Sequence, residues 1–180
     1  MKDAPNTKPE IERKFLLSPH LEVRAVLTDA GVAFKDSRIC QDYLYAGRDR
    51  EARVRRIRTG RGTSYVHTVK TLTDDPLVRV EGERNITEAE YSALMQNRLP
   101  ELHQISKSRV SFFYLGQLLE VDVFKSHPGL IILEMELTTR KQAIALPRYL
   151  PPIREVTEDD RFKNASLARH LHLFDILPSI

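Results

Sequence analysis

Six pairs of like charges recur at spacing two along this chain: Glu10 and Glu12, Arg53 and Arg55, Glu81 and Glu83, Lys107 and Arg109, Glu120 and Asp122, and Glu134 and Glu136. A period of two is that of a β-strand, whose successive side chains point to opposite faces. Each pair therefore falls on one face of its strand. The opposite face is apolar where Leu119, Val121 and Val123 flank the Glu120 pair and where Leu133, Met135 and Leu137 flank the Glu134 pair. In a half-exposed sheet such an ionic face would simply meet water. Surface strands, however, mix signs and place Thr, Ser and Gln between neighbours. A closed barrel of about eight strands accommodates the pattern, because acids and bases from opposite walls then converge on one interior with room for side chains and a small ligand. The predicted architecture is α+β, a closed eight-stranded antiparallel tunnel with flanking helices.

Two carboxylates side by side on a strand repel each other, so Glu10 and Glu12 call for a nearby cation, from the protein or from a bound metal. Mg²⁺ or Mn²⁺ takes oxygen ligands and binds through a few carboxylates together with substrate phosphates. Arg and Lys on facing strands would hold the remaining phosphate oxygens, Arg in a bidentate manner and Lys as a point charge.

The 180 residues are expected to form one domain, 1–180, long enough to bury a core without disulfides or structural zinc. The one cysteine, Cys40, cannot form an internal bridge and reads as a buried strand residue. Residues 1–6 carry no apolar signal region and no apolar run is long enough to cross a bilayer, so a cytoplasmic location without a membrane partner is expected. The formal charge is only +3 although 29% of residues are charged, so placement of the charges matters more than their balance.

The spacing predicts strands over about 8–17, 37–45, 52–58, 63–71, 77–86, 105–114, 117–124 and 130–138. Turns are expected at Gly60-Arg61-Gly62 and Asp74-Asp75-Pro76, and a tight hairpin at Leu115-Gly116. A first helix should start at Pro19, capped by Ser18, and end near Gly31. Thr87 and Glu90 form a capping-box pattern that opens a second helix running to about Arg98. The tail is broken by prolines over 146–152 and should end in a helix over 165–173.

At these residues the chain resembles the CYTH superfamily, the triphosphate tunnel metalloenzymes, whose hallmark Glu-x-Glu-x-Lys stands here as Glu10, Glu12 and Lys14. The resemblance continues in order through Gln41-Asp42-Tyr43-Leu44, Arg53-Val54-Arg55, Thr68-Val69-Lys70, Glu81-Gly82-Glu83, Lys107-Ser108-Arg109, Glu120-Val121-Asp122, Glu134-Met135-Glu136, Val156-Thr157 and Arg161-Phe162-Lys163-Asn164. It implies hydrolysis or transfer of a triphosphate, with Mg²⁺ or Mn²⁺ as cofactor. By motif match, Glu10, Glu12, Glu120, Asp122, Glu134 and Glu136 would hold metal. Lys14, Arg53, Arg55, Lys70, Lys107 and Arg109 would contact phosphates. Lys14, Tyr43, Glu81 and Glu83 would serve the reaction, with the Tyr43 hydroxyl near Lys14. Gly82 departs from the family pattern, where an apolar residue is usual, and suggests a bulge that would re-aim Glu83.

Other charges read differently. Arg56 and Arg58 lie on the face opposite Arg53 and Arg55 and belong to the outer surface. Lys163 could close one tunnel mouth or be an ordinary helix-start lysine. The histidines take no part, since His170 and His172 would face different directions on a helix, and no glycine-rich phosphate loop is present.

A lumen rich in charge and poor in aromatics favours inorganic tripolyphosphate, cleaved to diphosphate and phosphate. The alternatives are a class IV-type adenylate cyclase, a thiamine triphosphatase or, from another class, a non-catalytic binder of polyphosphate or nucleotide. The expected partner is a small-molecule triphosphate rather than a nucleic acid, and a homodimer is compatible with the sequence.

Overall fold

The computed structural model describes residues 6–47, 49–72 and 79–170. The predicted turn at 74–76, the start of the predicted strand at 77, His172 and the end of the predicted helix at 173 lie outside the described residues.

All the described strands belong to one antiparallel sheet. They are β1 (Asn6–Leu16), β2 (Phe34–Ala46), β3 (Arg50–Thr59), β4 (Gly62–Leu72), β5 (Arg79–Ile86), β6 (Ile105–Tyr114), β7 (Gln117–Phe124), β8 (Ile131–Leu137) and β9 (Arg154–Glu155). Their order is β5-β4-β3-β2-β6-β7-β8-β1-β9. The sheet thus has nine strands where eight were expected, because the short β9 pairs with Phe15 and Leu16 at the end of β1. β1 is shared between neighbours: residues 11–16 pair with β8 and residues 6–10 pair with β5. At the β6–β7 hairpin, Leu115 (φ 50°) and Gly116 (φ 79°) both adopt positive φ, which matches the twist of a two-residue hairpin turn.

The helices are shorter than their sequence patterns suggest. α1 (Val23–Asp29) begins after Ser18, whose hydroxyl accepts from His20 N in a local turn instead of capping the helix. α2 (Glu88–Met95) has the expected capping box, with Thr87 Oγ1 accepting from Glu90 N and Glu90 accepting from Thr87 N. It ends before Arg98. A 3₁₀ turn (Asp160–Phe162) leads into α3 (Asn164–Leu167), a single turn that overlaps only the start of the helix predicted over 165–173.

One face of the sheet is apolar. Phe15, Leu17, Val110, Phe112, Leu119, Val121, Leu133 and Met135 pack with Val23 and Leu27 of α1 and with Leu150 of the proline-broken tail. The other face carries the charged pairs, but at one end it turns apolar. There Leu16, Tyr43, Ile105, Phe124 and Ile132 pack against Val156, Phe162, Leu167 and Ala168. Residues 156–168 therefore cover one end of the ionic face.

Candidate active site

Strand register decides which charges meet. On β1 and β8, Lys14 stands opposite Glu134 and Glu12 opposite Glu136. On β6 and β7, Arg109 stands opposite Asp122, and Glu120 of β7 stands opposite Glu134 of β8. On β4, Lys70 lies between Glu51 of β3 and Glu81 of β5, and Thr68 lies between Arg53 and Glu83. Carboxylates directly opposite each other, as in Glu12–Glu136 and Glu120–Glu134, cost stability unless a cation reaches both.

The cations do so. Lys14 Nζ donates to Glu134 Oε1 at 2.6 Å and lies 2.9 Å from Glu12 Oε2. Lys70 Nζ donates to both oxygens of Glu10, at 2.8 and 2.6 Å, and lies 2.8 Å from Glu81 Oε2. Arg109 donates through Nε and Nη2 to the two oxygens of Asp122, each at 2.7 Å, and also reaches Glu134 Oε2 at 2.6 Å and Glu120. Lys107 pairs with the fully buried Asp122. Arg55 pairs with Glu83 and donates to Thr68 Oγ1 at 3.1 Å. Arg53 lies 3.6 Å from Glu51.

Burial alone would raise the Glu134 carboxyl, but Lys14, Lys107 and Arg109 together hold it well below the usual carboxylate range. Glu12 goes the other way: burial first, then the neighbouring Glu134 charge, push its carboxyl up. Burial lowers Lys107 despite Asp122, with Arg109 adding to the effect. Burial also lowers Arg55, reinforced by the positive charge of Arg53 beside it. Arg53 Nε and Arg55 Nε are buried without a hydrogen-bond partner, so two fixed donors on this wall lack an acceptor.

The predicted site residues thus share one face in two networks of contacts, Glu10, Lys70 and Glu81 in one and Glu12, Lys14, Glu134, Arg109 and Asp122 in the other. Among the described residues, no three carboxylates, histidines or cysteines converge as a ready-made metal cluster. The lysines and Arg109 hold the acidic side chains apart. The donor set still fits a hard divalent ion: it is all oxygen, and Glu12 is crowded by Glu134 and Glu10.

An inorganic triphosphatase of Nitrosomonas europaea is 35% identical over 167 residues, which cover 88% of this chain and 96% of that protein. The chain belongs to the inorganic triphosphatase family of the CYTH superfamily. A solved structure of an inorganic triphosphatase matches this family member at 30% identity with a TM-score of 0.56, covering 89% of this chain and 95% of the other. A protein from Pyrococcus horikoshii OT3 shares the fold at 17% identity and a TM-score of 0.55, covering 73% of this chain and 79% of the other. No family model matches the chain.

Several expectations for this triphosphatase-family chain change in detail. Tyr43 is fully buried, and its hydroxyl accepts from Gln41 Nε2 at 2.8 Å and is also bonded by Arg53; Lys14 acts on it only through its charge. Burial pushes that phenol up. The register runs unbroken through Gly82, which stands opposite Val69, so Glu83 keeps its place beside Thr68 and meets Arg55. The bulge falls on β2 instead, between Tyr43 and Tyr45. Lys163 pairs with Asp160. Cys40 is half-buried on the outer face.

Like-charge spacing singles out neither Glu51 nor Ser111, nor Gln41 and Thr68, which only the family resemblance carried; all four lie on the same face as the charged pairs. Gln41, Thr68 and Ser111 are each bonded to Tyr43, Arg55 or Glu120. Thr157, likewise carried only by the resemblance, accepts through its Oγ1 from the backbone N of Lys14 at 3.1 Å. Single polar residues at alternate strand positions carry no like-charge pair to single them out; only their strand partners do.

Proposed function

We propose that the chain is a metal-dependent triphosphatase that hydrolyses inorganic tripolyphosphate to diphosphate and phosphate. The observation that carries this reading is the pair of buried, unpartnered donors Arg53 Nε and Arg55 Nε on a wall that also holds Lys14, Lys70, Lys107 and Arg109. Fixed donors without acceptors suit an oxyanion whose charge they can neutralise. The relative named as an inorganic triphosphatase, matched along most of both chains, supports the choice of reaction.

In this reading residues 1–180 form one cytoplasmic domain, and the sheet closes as an eight-stranded tunnel with β9 as an appendage. The pairing of β1 with both β5 and β8 supports closure. Arg53, Arg55, Lys70, Lys107 and Arg109 bind the phosphate oxygens. Lys14, held between Glu12 and Glu134, keeps its proton and places a positive charge beside the reacting phosphoryl group. Glu10, Glu12, Glu120, Asp122, Glu134 and Glu136 would hold Mg²⁺ or Mn²⁺, which when bound polarises phosphoryl oxygens and neutralises charge.

Glu81 and Glu83 orient the attacking water. Glu81 Oε2 lies 2.8 Å from Lys70 Nζ, and although burial would raise its carboxyl, the charges of Lys70 and Arg53 hold it below the usual carboxylate range, so it stays ionised. It therefore retains a lone pair for a water proton. Tyr43 stiffens the Arg53 guanidinium through its hydroxyl. Phosphoryl transfer requires chiefly this positioning and charge neutralisation.

The deciding experiment is a product-resolved assay of tripolyphosphate, ATP and thiamine triphosphate with Mg²⁺ or Mn²⁺. Phosphate release from tripolyphosphate, abolished by EDTA, is the expected result. Cyclic AMP from ATP, or binding without turnover of any of the three, would overturn the proposal.

A further inference from the structure

A second set of cations lies on the outer wall, away from the lumen. Arg56 and Arg58 alternate with Arg55 and Ile57 along β3, so they project from the opposite face. Register places Arg38 of β2 directly beside Arg58, and Cys40 directly beside Arg56. On the other side of β2, Ser108 and Ser106 of β6 stand beside Arg38 and Cys40. Arg38, Cys40, Arg56, Arg58, Ser106, Lys107 and Lys125 line a small cavity of about 90 Å³. Arg38, Arg58 and Lys125 are exposed.

No carboxylate lines this cavity. The nearby acids on the same face of β2 are engaged elsewhere: Asp36 accepts from Arg24, and Asp42 accepts from Gln104 Nε2 at 2.7 Å and lies 3.9 Å from Arg98. Among the described residues Arg38, Arg58 and Lys125 form no ion pair, and Arg56 makes only a 3.8 Å contact to Cys40 Sγ. Like charges directly opposite on antiparallel strands destabilise a sheet. The Arg38–Arg58 pair therefore gains from an anion that both can reach, and the cavity, which Cys40 and Ser106 also line, is of a size to seat one tetrahedral oxyanion.

We propose that this outer cavity is a second anion site, separate from the lumen, that takes a phosphate group of inorganic phosphate or of an inorganic polyphosphate chain. Arg38 and Arg58 form its clamp, Arg56 its inner wall and Lys125 its rim. A nucleic acid is the weaker fit, because single strands are held by base stacking on aromatic side chains. No aromatic residue lines the cavity, and the neighbouring Tyr65 is engaged with Glu88 and Tyr91.

Cys40 supplies a local probe, since it is the one cysteine of the chain and lies in the cavity. N-ethylmaleimide labelling of the whole protein is followed in EDTA at constant ionic strength, with and without added anion. Inorganic phosphate or long-chain polyphosphate should slow labelling several-fold, and the Arg38→Gln/Arg58→Gln double variant should lose that protection. Protection by phosphate alone identifies the free ion as ligand; protection by the chain alone identifies polyphosphate. A labelling rate that ignores both anions, protection that survives in the double variant, or protection by single-stranded RNA only would overturn the proposal.

Should Cys40 label too slowly to follow, fluorescent long-chain polyphosphate gives the second measurement. Its affinity should fall about tenfold or more in the double variant, in line with the loss of two cationic contacts, and unchanged affinity would overturn the proposal. Tripolyphosphate turnover should stay within about twofold of the unaltered protein. Failure of tripolyphosphate hydrolysis would end the reading of the lumen without touching this site, whereas anion-insensitive Cys40 would end this site without touching hydrolysis.

Discussion

Arg109 grips Asp122 with two parallel hydrogen bonds of 2.7 Å, although Asp122 is fully buried. The same guanidinium continues to Glu134 and Glu120, so one side chain neutralises acids on two strands. Lysine has a single ammonium centre and cannot reproduce the fork. Arg109→Lys should therefore destabilise the fold by roughly 1–3 kcal/mol, read as a lower urea midpoint with unchanged slope. A midpoint equal to that of the unaltered protein would contradict the assigned geometry.

Arg55 holds Glu83 with one end of its guanidinium while its Nε lacks a partner. Arg55→Gln should raise KM for tripolyphosphate by roughly 10–100-fold, the equivalent of one lost charge-assisted hydrogen bond. Steady-state kinetics checks this; an unchanged KM would place the phosphates elsewhere.

Glu12 is the carboxylate whose charge the fold disfavours, through burial and then through Glu134. In metal-free protein, Glu12→Gln should leave stability unchanged or raise it by up to about 1 kcal/mol, since Lys14 retains Glu134. The same variant should lose metal-supported hydrolysis. Thermal unfolding in EDTA, set beside phosphate release with Mg²⁺, tests these opposite signs.

Glu134 has the reverse pH behaviour. Its folded value lies well below 4.5, because Lys14, Lys107 and Arg109 outweigh the burial that would raise it. Its ionised form therefore contributes stability fully above about 4.5, and that contribution is lost as pH falls through the folded value. Chemical unfolding from about pH 6 down to about pH 3 should fall more steeply for the unaltered protein than for Glu134→Gln. Parallel curves would argue against the pairing.

Phe162 is almost wholly buried in the apolar cap, with Leu16, Tyr43, Ile105, Phe124 and Ile132 around it. Phe162→Ala should cost about 3–5 kcal/mol through the cavity it leaves. Denaturant unfolding measures this directly.

Much of the candidate site was legible before any coordinates, because a strand's period of two converts spacing into facing without knowledge of its neighbours. Arg53 with Arg55 and Glu134 with Glu136 could be placed on common faces in this way, and Arg56 with Arg58 on the other. The helices were less legible. Ser18 and Pro19 form a plausible start signal, yet Ser18 closes a local turn, since capping patterns and turn patterns use the same side chains. β9 has only two residues and leaves no periodic trace.

The chain's alternation alone determined that its charges would lie in rows with hydrocarbon behind them, since side-chain direction along a strand is a local property. Which row faces which was decided only by register and strand order. That Lys70 joins Glu10 to Glu81, that Arg109 spans β7 and β8, and that Arg38 meets Arg58 outside follow from hydrogen-bonded partners far apart in sequence. The apolar cap is of the same kind: Phe162 finds Leu16 and Ile105 only because the folded sheet brings one end of its ionic face beneath the C-terminal segment.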